Sequence, residues 1–145
     1  MDTTLRRAKP DDSDFAYQTK KAAFQEYVEK VWGWDEAQQR QLHERRFAEQ
    51  EFQIIEVAGA PVGILAMARA PDCLKVNQLF LLPEHQGKGI GKACMAQIMA
   101  EAQALRLPVR LQVLKVNPRA VAFYERLGFH RSGESETHVQ LEWTV

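Results

Sequence analysis

One segment constrains the fold more than any other. Leu74 to Leu82 alternates as a strand, with Val76, Gln78 and Phe80 expected on one face and Lys75, Asn77, Leu79 and Leu81 on the other, and Pro83 stops it. The turn Gln86-Gly87-Lys88-Gly89-Ile90-Gly91 follows, then a helix in which Ile90, Cys94, Ile98 and Met95, Met99, Ala102 recur every three to four residues. A strand running through glycines into a helix N-terminus makes several amide N–H groups converge, and the helix dipole adds about half a positive charge. Phosphate is the natural guest. A dinucleotide fingerprint would need glycine or alanine where Lys92 stands, and a Walker A loop would need glycine at Gln86 and a hydroxyl residue at Ala93. The surviving pattern is Gln/Arg-x-x-Gly-x-Gly/Ala, met by Gln86, Gly89 and Gly91. Alone, it competes evenly with a plain flexible turn that leaves Lys88 and Lys92 on a solvated face.

The most clearly marked helix lies nearer the C-terminus, where Asn117 stands as N-cap, Pro118 at the first helical position and Gly128 as the stop. The strand Val109 to Val116 leads into it. Upstream, a strand Thr3 to Ala8 precedes a helix that starts after Pro10 and runs to about Trp32, where Gly33 ends it; a polar helix from Asp35 through Phe47 follows. Phe52 to Val57 and Val62 to Ala68 flank Gly59-Ala60-Pro61 as a hairpin, while Phe129 to Ser132 and Val139 to Trp143 supply the last strands. The order is β-α-α-β-β-β-α-β-α-β-β, and no repeat or linker interrupts it.

This length predicts one domain over residues 1–145. The 19 basic and 19 acidic side chains cancel, so nothing marks the chain as a partner of nucleic acid or of an anionic membrane, and Lys20 with Arg40 to Arg46 is too dilute to alter that. Cys73 and Cys94 lack metal-ligand or disulfide-framework spacing, and no apolar stretch approaches a membrane span, so a cytoplasmic protein with reduced thiols is expected.

Three separated segments resemble the GNAT (GCN5-related) N-acetyltransferase superfamily. Leu79-Phe80-Leu81-Leu82-Pro83-Glu84 is similar to its fourth strand, Gln86 to Gly91 to its pyrophosphate turn, and Val113 to Ala120 with Phe123 to Phe129 to its C-terminal signature. The resemblance implies an α/β fold with a mixed, mostly antiparallel sheet of about seven strands flanked by about four helices. It implies acetyl-CoA as acyl donor and direct attack by a primary amine, small or peptidic, and it leaves room for a homodimer. A non-catalytic sensor of acyl-CoA is the alternative.

The family's cofactor-binding positions fall on Leu79, Leu81, Gln86, Gly87, Lys88, Gly89, Ile90, Gly91, Lys92 and Asn117. In the family a strand amide, here that of Leu81 or a neighbour, stabilises the oxyanion. Tyr124 has the hydroxyl suited to protonating a departing thiolate, although its stripe with Ala120, Phe123 and Leu127 also reads as ordinary core. Where several members carry a basic glutamate, eleven residues before Gln86, this chain has Lys75. The base therefore stays unassigned, with His138 and a water held by Asn77 as candidates and Glu26, Glu29 and Glu36 as sources of charge. Trp32 and Trp34 are expected to seal the first long helix against the sheet rather than to wall the acceptor site.

Overall fold

The computed structural model describes residues 2–145. Strand β1 (Thr3–Arg7) is followed by helices α1 (Ser13–Val31) and α2 (Glu36–Glu49), strands β2 (Glu51–Val57), β3 (Ala60–Arg69) and β4 (Leu74–Leu81), and helix α3 (Ile90–Leu105). Strand β5 (Val109–Leu114), helix α4 (Pro118–Arg126), and strands β6 (His130–Glu134) and β7 (His138–Trp143) complete the chain. Seven strands and four α-helices thus follow in the order the sequence implied.

Local chemistry sets most of the boundaries. The Asp12 carboxylate accepts from the Lys9 amide at 2.7 Å and closes a short 3-10 turn ahead of α1. Asp35 caps α2 through the Gln38 amide at 3.0 Å, and Asn117 caps α4 through the Ala120 amide at 3.3 Å. Strand β5 ends at Leu114, two residues before the expected Val116, because Lys115 and Val116 already turn toward that cap.

The sheet order is β1-β2-β3-β4-β5-β7-β6, and only the β4–β5 pair is parallel. Helices α3 and α4 cover one face, where Met95, Ile98, Val121 and Tyr124 pack on Leu65, Met67, Val109 and Leu111. On the other face α1 and α2 press Ala16, Phe15 and Phe47 onto Phe52, Ile54 and Ile64. The central strands are therefore buried on both sides: Ile54 and Ile55 are both inaccessible yet belong to opposite clusters.

The expected alternation along β4 is corrected by a bulge. Met67 pairs with Val76 and Ala66 with Gln78, so Asn77 is an extra residue with no partner on β3. An extra residue inverts the facing of everything after it. Val76 accordingly joins the α3 side together with Leu79, while Phe80, with Phe24 of α1 stacked on it at 4.8 Å, lies on the opposite face.

Candidate active site

The bulge at Asn77 is also where β4 and β5 part. Their parallel register runs Leu74↔Val109, Lys75↔Arg110, Val76↔Leu111 and stops there, while β5 continues beside β7 as far as Leu114↔His138. The two strands diverge into a V. On the β3 side the Leu82 amide donates to the Val62 carbonyl at 2.9 Å, which fixes the parity of the ladder. Gln78 and Phe80 face β3 in the same way, so the N–H and C=O groups of Leu79 and Leu81 point into the gap that β5 has left.

At the open end of the V lies the N-terminus of α3. Gly87 and Gly89 have positive φ (74° and 82°), a conformation that β-carbons disfavour, and a β-carbon built on either would meet nothing within 4 Å. No side chain caps the helix, so the amides of Ile90, Gly91 and Lys92 face outward, and the first intrahelical bond is Ala93 N–H to the Gly89 carbonyl at 3.1 Å. Gly91 differs from its two neighbours: its β-carbon would lie 3.4 Å from the Phe123 ring and 3.9 Å from Leu81 Cδ1, ordinary contact distances, so it faces packed side chains rather than the open cradle. Ile90 likewise divides its roles, with its side chain buried among Ile55, Val57, Val62 and Cys94 while its amide lies in the first turn.

A cleft of about 1400 Å³ runs from this turn, along the V, to helices α1 and α2. Every cofactor-binding and catalytic candidate named from sequence lines it except Lys88; of the three glutamates named as sources of charge, only Glu26 does. Tyr124 is 8% exposed, with its ring set edge-on to Phe123 and Phe129 at 5.0 and 5.5 Å, so it is at once a core aromatic and part of the cleft wall. Burial, and then the nearby Cys94, push the Tyr124 hydroxyl well above its ordinary value, which keeps it a proton donor. Burial likewise raises the Cys94 thiol to about 11 and makes it a packing residue rather than a nucleophile.

His138 opens β7 at the splayed end, with Nδ1 2.7 Å from the Thr137 hydroxyl and its pKa lowered by burial. The Trp32 ring stands 6.1 Å from it. Trp32 is 60% exposed, which overturns the expected packing against the sheet: Gly33 at φ 79° turns the chain away at the end of α1 and leaves the indole over the cleft. Trp34 is half-buried on Tyr17 and donates its indole N–H to Glu36 at 2.9 Å. That bond, with the Tyr17 hydroxyl adding to it, holds Glu36 down to about 2, too weak a base to take a proton from an amine. Glu29 does not line the cleft, whereas Glu26 does, exposed.

Sequence reasoning missed several lining residues, above all Lys20 and Gln78. Lys20 is 3% exposed, and burial lowers its ammonium to about 8. Its position was readable as the one charge on the α1 stripe of Ala16, Tyr17, Phe24 and Val28. Gln78 is 6% exposed, with Oε1 unpartnered. Its facing depends on the bulge at Asn77, which no local pattern marks.

The sequence matches the Acetyltransferase (GNAT) family over residues 14–129. It is 31% identical over 137 residues to an uncharacterized N-acetyltransferase of Methanocaldococcus jannaschii, covering 87% of this chain and 60% of that one. A 5-NmdU N-acetyltransferase of Pseudomonas phage PaMx11 is 48% identical over 67 residues, 46% of each chain. The matches thus span about half the length of these curated relatives. Among solved structures, an acetyltransferase of Thermus thermophilus superposes with a TM-score of 0.82 at 16% identity, covering 100% of this chain and 98% of that one. The PaiA N-acetyltransferase of Thermoplasma acidophilum, solved with coenzyme A, gives 0.81 at 14% identity over the whole of both chains. At those identities the likeness is one of fold.

Proposed function

The chain belongs to the GNAT acetyltransferase family, and from that premise we propose that it transfers an acetyl group from acetyl-CoA to a primary amine by direct attack, both substrates lying in the one cleft. The observation that carries this reading is the V between β4 and β5, which opens two backbone amides of β4 beside an uncapped, glycine-bounded helix N-terminus. Such an edge fits an extended amide-bearing arm, and such a turn fits the pyrophosphate at its end.

In this reading the amides of Gly89 to Lys92 hold the pyrophosphate, and Gln86 keeps the turn against β4. Leu79 and Leu81 pair with the donor's pantetheine arm, and the nearer amide stabilises the negative oxygen that develops on the acetyl carbonyl. A donor fixed beforehand at that point is worth about 3–4 kcal/mol of barrier. Asn117 spends its side-chain oxygen on the cap, which leaves its NH2 group for the same arm. Tyr124 gives its proton to the departing thiolate.

An alkylamine with pKa about 10.4 must lose a proton before it attacks, and no carboxylate stands at Lys75 to take it. His138, whose pKa burial lowers, and a water held by Asn77 are the candidates. The test has two parts. Coenzyme A should raise the melting temperature more than ATP or NAD at matched concentration. A panel of amines with acetyl-CoA should then identify members that release thiol above the hydrolysis rate. Equal stabilisation by ATP, or binding of coenzyme A with no thiol release from any amine, would overturn the reading.

A further inference from the structure

The half of the cleft left over for the acceptor is cationic. Lys20 lines it from α1 and Arg45 and Arg46 from α2, and among the described residues none of the three has a carboxylate within 4 Å. The one hydrogen bond of the Lys20 ammonium is to Gln39 Oε1 at 3.3 Å, although an ammonium carries three donors. Arg46 is half-buried and near enough to Lys20 to disfavour the charge there further. Two side-chain amides lining the same cleft, Gln50 and Gln78, have buried Oε1 atoms with no partner among the described residues. The acidic residues lining the cleft are Glu26 and Asp35; both are exposed, and the Asp35 carboxylate is occupied in capping α2.

Two like charges brought together with no counter-ion, one buried and one half-buried, destabilise a fold. An anion arriving between them would remove that cost. It would accept from the free donors of Lys20 and Arg46, and the unpartnered glutamine amides can turn an N–H toward it or accept from neighbouring donors. We infer that the acceptor amine carries an anionic group, a carboxylate or a phosphate, which Lys20 and Arg46 hold at the α1–α2 end of the cleft. This rests on the acetyltransferase reading and names the substrate class of that same site. Gln78 directly precedes Leu79, whose amide faces the V, and a strand advances about 3.3 Å per residue. Amines joined to the anion by a short chain of a few carbons are therefore the first to test. Diamines and polyamines, which would bring a second cation against Lys20 and Arg46, are excluded by the same charges.

The experiment compares kcat/KM for thiol release with acetyl-CoA across three series of matched length: the aminocarboxylates β-alanine and γ-aminobutyrate, the aminoalkyl phosphate phosphoethanolamine, and n-alkylamines whose chain carries no charge besides the amine (the neutral series), with putrescine as the dicationic control. The anionic amines should exceed the neutral ones by about tenfold or more, chiefly through KM, and the ranking of carboxylate against phosphate identifies which anion the site takes. Lys20→Met, which keeps the buried stem, and Arg46→Gln should each bring the anionic-to-neutral ratio toward one. Coenzyme A-induced stabilisation verifies that each variant is folded, and the partly exposed Arg46 carries the test where Lys20→Met does not fold. Neutral amines or putrescine used as well as the anionic ones would overturn the proposal and leave acetyl transfer standing. Should no amine release thiol, acetyl transfer fails, and the anion site is read directly by titrating coenzyme A-saturated protein with γ-aminobutyrate and with phosphoethanolamine. A thermal shift lost in both variants upholds the site; no shift, or one the variants keep, overturns it.

Discussion

Gln86 reaches back five residues to donate from Nε2 to the Leu81 carbonyl at 3.0 Å, tying the glycine turn to the strand edge that faces the V. The bond joins the two backbone regions proposed to hold opposite ends of one ligand. Gln86 is exposed, so the tie contributes little to global stability.

Replacing Gln86 by Ala should weaken coenzyme A binding by roughly two- to tenfold, in keeping with the loss of one hydrogen bond worth about 0.5–1.5 kcal/mol. The melting temperature of the free protein should move by no more than a degree or two. Calorimetric titration checks the first statement and a thermal scan the second. An unchanged dissociation constant would mean that the turn holds its place without the tie.

The turn glycines should separate into two kinds. At Gly89, Val meets no neighbour but must adopt φ near 82°, which costs about 1–2 kcal/mol, and its methyl groups project into the open cradle. Coenzyme A affinity should fall more than tenfold. At Gly91, Ala meets the Phe123 ring at 3.4 Å, an ordinary packing contact on the side away from the cradle, so affinity should fall only a few-fold. Comparable losses at both positions would contradict this division.

Lys20→Met gives a pH-dependent stability difference whose sign follows from burial. The folded ammonium titrates near 8 and the unfolded one near 10.5, so between these values the unfolded chain binds more protons and the wild type gains stability as pH rises. Below 8 the penalty is fully present. Met removes it, so the variant should be the more stable by on the order of 2–3 kcal/mol at pH 7, and that advantage should vanish as pH rises from 8 to 10.5. Paired urea melts across this range measure it, and a variant less stable at pH 7 would show that the Gln39 contact outweighs burial.

What was legible in the sequence was what local chemistry decides. Asn117, Pro118 and Gly128 fix α4 through bonds within a few residues of themselves, and the glycines of the Gln86-to-Gly91 turn mark the left-handed turn that opens α3. The departure of β5 from β4 is a matter of register between strands that α3 separates in the chain, and the bulge that inverts Gln78 and Leu79 exists only as a mismatch with β3. Trp32 shows the same limit. Its helical spacing suggests burial, but the helix ends there and the indole projects past the packed surface. Lys20 was visible as a charge on an apolar stripe, yet its isolation from carboxylates is a fact of tertiary packing.

Tyr124→Phe tests the chemistry most directly. The ring packs between Phe123 and Phe129, and Phe keeps that volume, so the fold should be retained. Phe also leaves the glycine turn and the β4 edge untouched, and coenzyme A affinity should stay within about twofold. The hydroxyl's pKa lies well above the ordinary tyrosine value, so it remains protonated at any working pH and available to donate to the charge that develops on sulfur. A thiolate, with conjugate-acid pKa near ~8.5, is already a fair leaving group, so the loss in kcat should lie near the ~10²-fold lower end of general-acid contributions. The loss should also be larger for kcat than for KM, because the proton moves only as the carbon–sulfur bond breaks. With the best amine of the panel, steady-state rates of wild type and variant measured at saturating acetyl-CoA decide the matter. Equal kcat values would return Tyr124 to a packing role and leave the thiolate to depart without a proton from the protein.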